Sequence, residues 1–124
     1  MKLTDIKCLD SSVWLAYFLE ESAEAKKIIE GDDMIITSSL SLFEVKKRIL
    51  MIKKDPLPAL QFMKQRSKIF VPGQIIAEKA AEITFENKLG AIDSLIYATA
   101  EFSKAELVTG DNDFKNLQNV KIIT

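Results

Sequence analysis

Histidine is absent from the 124 residues, cysteine occurs once and glycine only four times. The missing imidazole excludes histidine-containing zinc sites and every catalytic triad that needs a histidine base. The single thiol, Cys8, excludes an intrachain disulfide framework. With no histidine to activate it, Cys8 reads as a buried strand residue rather than a nucleophile. The glycines at 31, 73, 90 and 110 form neither a Walker A loop nor a dinucleotide fingerprint, so no backbone phosphate cradle is visible.

Long apolar runs are missing too. The longest, Val13 to Leu19, has seven residues, against the ~20 that cross a bilayer. Ala23-Glu24-Ala25 imitates a signal-peptidase site behind that run, but Asp5 and Asp10 offset Lys2 and Lys7, and Glu20 and Glu21 follow at once. The run reads as a helix, and the chain as cytoplasmic with no membrane partner. The net charge of −1 gives no overall field that would advertise a polyanion. At this length folding buries roughly two-thirds of the chain's surface, so a 48% apolar composition builds a core unaided. One domain, residues 1–124, is the expectation.

Short apolar runs alternate with longer helical patterns, the sign of βα units around a parallel sheet. Strands are expected at Ile6 to Leu9, Met34 to Thr37, Ile69 to Val71, Leu107 to Thr109 and Val120 to Ile123. Ser11 and Ser12 can cap a helix carrying Val13, Trp14, Tyr17 and Phe18, and a second helix from Ser22 stops at Gly31. A long helix from about Leu40 to Lys54 places Leu42, Val45, Ile49 and Ile52 on one face. Another runs through Leu60 and Met63, and two more occupy about 74–87 and 92–103, the last with Ile92, Leu95, Thr99 and Phe102 as its packed face. The pattern describes a three-layer α/β/α sandwich with a mostly parallel sheet of about five strands.

Four carboxylates stand where such folds put active sites, at strand carboxyl ends or at the starts of the next helices. Asp10 closes the first strand, where it can equally cap a helix. Glu44 lies one residue off the apolar stripe of the long helix, and Ser41-x-x-Glu44 capping or pairing with Arg48 competes with a site role. Asp93 borders the core of a helix rich in small residues, where an unpaired charge is costly. Asp111 and Asp113 flank Asn112 after a strand. A calcium loop fails there, because Lys115 and Asn116 occupy its fifth and sixth positions.

Asp10-Ser11-Ser12, Glu44-Val45, Ile92-Asp93-Ser94-Leu95-Ile96-Tyr97-Ala98-Thr99-Ala100 and Leu107-Val108-Thr109-Gly110-Asp111-Asn112-Asp113-Phe114 resemble the PIN-domain family, and more narrowly its VapC-type toxins. The resemblance implies an acidic pocket that binds Mg2+ or Mn2+ and cleaves RNA, with a small antitoxin as partner. By position it implies Asp10, Glu44, Asp93 and Asp111 as catalytic metal ligands, Asp113 as a further metal-site acid, and Thr109 as a hydroxyl near the ion. Gly110 departs from the family pattern, where a basic residue often stands. With no histidine, activated water at a divalent ion is the available nucleophile, and the four acids need such an ion to offset their repulsion.

The basic residues are concentrated in 46–68, which carries +7 while the remainder carries −8. That segment reads either as a phosphate-tracking rim or as a solvated helix face. Its apolar residues Leu50, Met51, Leu57 and Leu60 suggest a groove for an antitoxin helix or a homodimer surface. Two other functions remain open: a non-catalytic PIN-like module that binds RNA or protein, and a phosphatase or phosphoacceptor domain using Asp10 as nucleophile.

Overall fold

The computed structural model describes residues 6–124; Lys2 and Asp5 of the N-terminal charge balance lie outside the described residues. The strands β1 (Ile6–Leu9), β2 (Met34–Ser38), β3 (Lys68–Phe70), β4 (Glu106–Thr109) and β5 (Val120–Ile122) form one sheet in the order β3-β2-β1-β4-β5, with every pairing parallel. Six helices accompany them: α1 (Ser11–Phe18), α2 (Ala23–Ile29), α3 (Ser39–Met51), α4 (Leu57–Arg66), α5 (Gln74–Asn87) and α6 (Ala91–Phe102). The expected α/β sandwich is what forms, with the sheet wholly parallel.

Parallel strands carry apolar residues on both faces because helices cover both. Cys8, Ile36 and Leu107 point into one core with Ile76, Ala80, Ile83, Ile96 and Ala100 of α5 and α6. Their neighbours Leu9, Ile35 and Val108 point the other way, into a core built with Val13, Trp14, Ile29, Val45, Ile49 and Met63 of α1 to α4. This alternation of faces along each strand is the period of two that produces the three layers. Lys7 breaks the run in β1, and its ammonium lies 2.6 Å from the carboxylate of Glu106, its neighbour in register on β4.

A chain of buried hydrogen bonds runs through the α1–α4 layer. The Trp14 indole N–H donates to Thr37 Oγ1 at 3.2 Å, Thr37 donates to Ser67 Oγ at 2.8 Å, and Ser67 donates to the Met63 carbonyl at 2.7 Å. Desolvating these groups unpaired would cost about 1–3 kcal/mol each.

Several local expectations are corrected. Asp10, rather than Ser11 or Ser12, is the N-cap of α1, and Ser38 caps α3. Ser41 is therefore already inside the helix, and no Ser41–Glu44 capping box forms. On α3, Val45 and Ile49 are buried, whereas Ile52 follows the helix end and is exposed. On α6, Ile92 and Phe102 are exposed, and the buried set is Ser94, Ile96, Tyr97, Ala98, Thr99 and Ala100. That helix packs on α5 as well as on the sheet, so it is buried on two sides.

The chain places no glycine at its left-handed turns. Glu20, Lys53 and Lys104 have φ of 57°, 59° and 54°, and each follows a helix whose last carbonyls are closed by paired backbone bonds, such as Lys53 N–H to Leu50 O and Lys54 N–H to Ile49 O. Gly31 instead serves close approach, since a Cβ there would lie 2.8 Å from the Lys27 carbonyl oxygen. Lys53→Gly and Lys104→Gly should each stabilise the fold by roughly 1 kcal/mol, the left-handed penalty less the entropy glycine adds to the unfolded chain. Urea unfolding of the two variants checks this, and a loss of stability would contradict it.

Candidate metal centre

Moving outward from β1, the chain fills β2 and β3 on one side and crosses to β4 and β5 on the other. The direction of winding reverses between β1 and β4, and beyond the carboxyl ends of such a strand pair is where open α/β sheets place their binding crevice. Asp10 follows β1 and Asp111 follows β4. Asp93 lies in the first turn of α6, and Glu44 lies in α3, the helix after β2.

Asp93, Asp111 and Asp113 each bring a carboxylate oxygen within 4.8 Å of the other two. Asp10 and Glu44 stand outside that trio. All four of the other acids nevertheless act on Asp93, whose carboxyl is pushed up to about 6, first by burial and then by Asp111, Asp10, Glu44 and Asp113. The five residues thus share one electrostatic neighbourhood, tightest on the side of the β4 loop.

Asp10 is only 5% exposed. Its Oδ1 accepts from the Ser12 and Val13 backbone N–H groups, at 3.1 and 3.3 Å, and from the Ser12 hydroxyl, while Oδ2 accepts from the Thr109 hydroxyl. Burial raises its carboxyl above the usual range, and these donors oppose that rise. A carboxylate so enclosed has little free face, which argues against the phosphoacceptor reading. Cys8 is fully buried, and its thiol is pushed up to about 12 by burial and by Asp10, so it behaves as the inert strand residue expected.

Glu44 accepts from the Ser11 hydroxyl at 3.0 Å, and no ion pair joins it to Arg48 among the described residues. Thr109 is fully buried, donates to Asp10 and accepts the Asp111 N–H at 3.0 Å. The Asp111 carboxylate then accepts the Asp113 N–H at 2.8 Å, capping a short 3-10 turn at Asn112–Phe114. Ser11 and Ser12, which read as helix caps from the sequence, instead turn both hydroxyls to the acids Glu44 and Asp10. The signal was available: two hydroxyl residues directly after a strand-terminal aspartate.

The basic segment is not a continuous rim. Arg66 is spent on structure, donating to the carbonyls of Ile29, Gly31 and Asp33 at 2.6, 3.1 and 2.9 Å. Those carbonyls precede β2, at the sheet end opposite the acids, and Lys68 opens β3 at that same end. Lys53 and Lys54 lie beyond the end of α3, which leads about 20 Å away from the carboxyl end of β2. Lys46, Lys47 and Arg48, exposed one turn past Glu44, are the cations of this segment best placed to meet a phosphate chain.

Three clustered carboxylates with neighbours of the same sign are a poor arrangement for an isolated protein and a suitable one for a hard divalent cation. Asp93 binds its proton more tightly in the native state (about 6) than at its ordinary value of 3.8, so native stability falls as pH rises through that window and the penalty is complete above it. Chelator-treated Asp93→Asn should therefore unfold at a higher temperature than the parent at about pH 7.5, with the advantage gone near pH 3.5. Thermal unfolding across that range measures it; equal midpoints at neutral pH would count against crowding of the acids.

The PIN domain family model matches residues 7–120, while no curated protein sequence matches significantly. Among solved structures, a toxin–antitoxin complex from Klebsiella pneumoniae has a chain 24% identical, with TM-score 0.79, over 93% of this chain and 95% of that one. VapBC2 from Rickettsia felis, bound to a DNA fragment from its promoter, gives 21% identity and TM-score 0.81 over 96% and 99% of the two chains. Mycobacterium tuberculosis VapC20, a toxin that cleaves the sarcin-ricin loop, gives 17% identity and TM-score 0.74 over 95% and 99%. A parallel sheet in this order, acids at the β1–β4 crevice and a family match across nearly its whole length agree: the chain belongs to the PIN domain family.

Proposed function

We propose that residues 1–124 act as one domain, a Mg2+- or Mn2+-dependent endoribonuclease that works in the cytoplasm as the VapC-type toxin of a toxin–antitoxin pair. The observation that carries this reading is the approach of Asp93, Asp111 and Asp113 to within 4.8 Å at the sheet's carboxyl end. Toxins of related fold, one of which cleaves RNA, support it.

In this mechanism the oxygens of Asp93, Asp111 and Asp113 would hold the cation. Asp10 contributes through the one acceptor direction left on Oδ2, and Glu44, steadied by Ser11, orients water at the rim. A divalent ion bound there would supply activation of a water and offset of charge on the phosphodiester. Because no histidine is present, proton transfer falls to a carboxylate that the ion would leave free, and Glu44 at the rim is the acid placed for it. Lys46, Lys47 and Arg48 track the backbone phosphates of the bound strand.

Two protein contacts complete the proposal. Beside a groove of about 280 Å3 lined by Phe18, Ile49, Ile52 and Pro58, the exposed Met51 and Leu57 offer an apolar seat for an antitoxin segment. Leu60 is half-buried in the α1–α4 core and contributes less. On the opposite layer, Val71, Ile75 and Phe102 border a second apolar groove, of about 410 Å3, that suits a homodimer.

Incubated with mixed RNA and Mn2+, the protein should generate defined new ends; EDTA should abolish them and Asp93→Asn should slow them roughly 100-fold or more. RNA binding without cleavage would favour the non-catalytic module instead. Leu57→Asp should weaken binding of the protein encoded by the adjacent reading frame about tenfold or more, the loss of one apolar anchor. It should leave both cleavage and the dimer mass of the free chain, read by sedimentation, unchanged; unaltered affinity would exclude this surface as the antitoxin seat.

A further inference from the structure

Gly110 and Asp111 present successive backbone N–H groups just past the end of β4, and each meets a hydroxyl. Asp111 N–H donates to Thr109 Oγ1 at 3.0 Å, and Gly110 N–H donates to Ser12 Oγ at 2.9 Å. Each hydroxyl then donates to Asp10, Thr109 to Oδ2 and Ser12 to Oδ1. The two oxygens of one buried carboxylate are thereby linked, through two hydroxyls, to two consecutive amides of the loop that carries Asp111 and Asp113. Thr109 belongs to that segment. Ser12 comes from α1, and among the described residues its side chain is the only one outside 109–113 that bonds to a backbone N–H of residues 110–113.

The loop needs such a tie. Its carboxylates face Asp93 with like charge, and β4 pairing ends at Thr109, so repulsion would drive the loop outward. A hydroxyl suits the position because it accepts from an amide and donates to a carboxylate at once. Alanine at 12 would leave the Gly110 N–H without its partner and Asp10 Oδ1 short of one donor.

We propose that Ser12 is a positioning residue of the acidic centre, its hydroxyl clamping the Gly110–Asp113 loop to Asp10 and so setting where the Asp111 and Asp113 carboxylates stand relative to Asp93. The inference rests on the metal-centre reading above, and its test separates the two. Mn2+ affinity is measured on the full chain without RNA, from the paramagnetic resonance signal of free Mn2+. Ser12→Ala should weaken affinity about 10- to 100-fold, the usual effect of removing an outer partner of metal ligands, and Ser12→Thr should restore it. Ser22→Ala, which removes the cap of α2 away from the acids, should lower the unfolding temperature yet bind Mn2+ like the parent. In metal-free protein, the Gly110 amide should exchange with solvent roughly tenfold faster in Ser12→Ala, as expected for local opening. Ser12→Cys, a similar volume with a weaker acceptor, serves if the alanine variant does not fold, and should show a smaller loss. Parental Mn2+ affinity in Ser12→Ala or Ser12→Cys overturns the inference. Equally weak binding by the parent and Asp93→Asn overturns the metal centre itself, and this inference with it.

Discussion

Burial of the Asp10 carboxylate at the carboxyl end of β1 is the constraint on which the acidic end of this molecule is built. A charge that is 5% exposed must be hydrogen-bonded, and its donors come from three directions: the α1 backbone, the Ser12 hydroxyl and the Thr109 hydroxyl. Meeting that need starts α1, joins β1 to the end of β4 and anchors the loop bearing Asp111 and Asp113. Helix capping and assembly of the acidic site are thus one set of bonds. The two accounts of Asp10 that compete at the level of sequence are both true of the same side chain.

The rest of the fold keeps like charges together against their repulsion. Two apolar cores, one on each face of the sheet, hold β1 and β4 side by side. Asp93 rides on α6, whose small buried residues let it lie close to α5 and the sheet. Rigid layers thereby bring an acid from a helix and acids from a loop within 4.8 Å, and the energetic strain shows in the raised carboxyl of Asp93. A divalent ion is the group whose binding would reverse that strain.

Much of this architecture was legible in the residues. Alternation of short β-rich runs with amphipathic stretches located the five strands and six helices seen among the described residues, because parallel strands covered on both sides and helices covered on one leave different periodicities. Helix faces were less legible. Ile92 and Phe102 fit a single stripe on α6, yet the helix is buried on two sides, and periodicity reports one buried direction only. Ser41-x-x-Glu44 had the spacing of a capping box, but the helix begins at Ser39 after Ser38, so a local rule lost to the true start of the element. The charge of 46–68 suggested a rim, whereas Arg66 closes three carbonyls at the far end of the sheet; net charge counts residues without saying where they point.

The order of apolar and polar residues along the chain by itself determined the layer architecture and the presence of acids after β1 and β4, since both follow from local periodicity and from where strands end. Only the tertiary structure decided which acids meet. Asp111 and Asp113 share a turn, but their distance to Asp93 and the reach of Ser12 to Gly110, 98 residues away in sequence, depend on how α1, α6 and the β4 loop pack on one sheet. Contacts between segments so far apart arise from burial and hydrogen-bond satisfaction across the whole fold, and a short window of sequence contains neither.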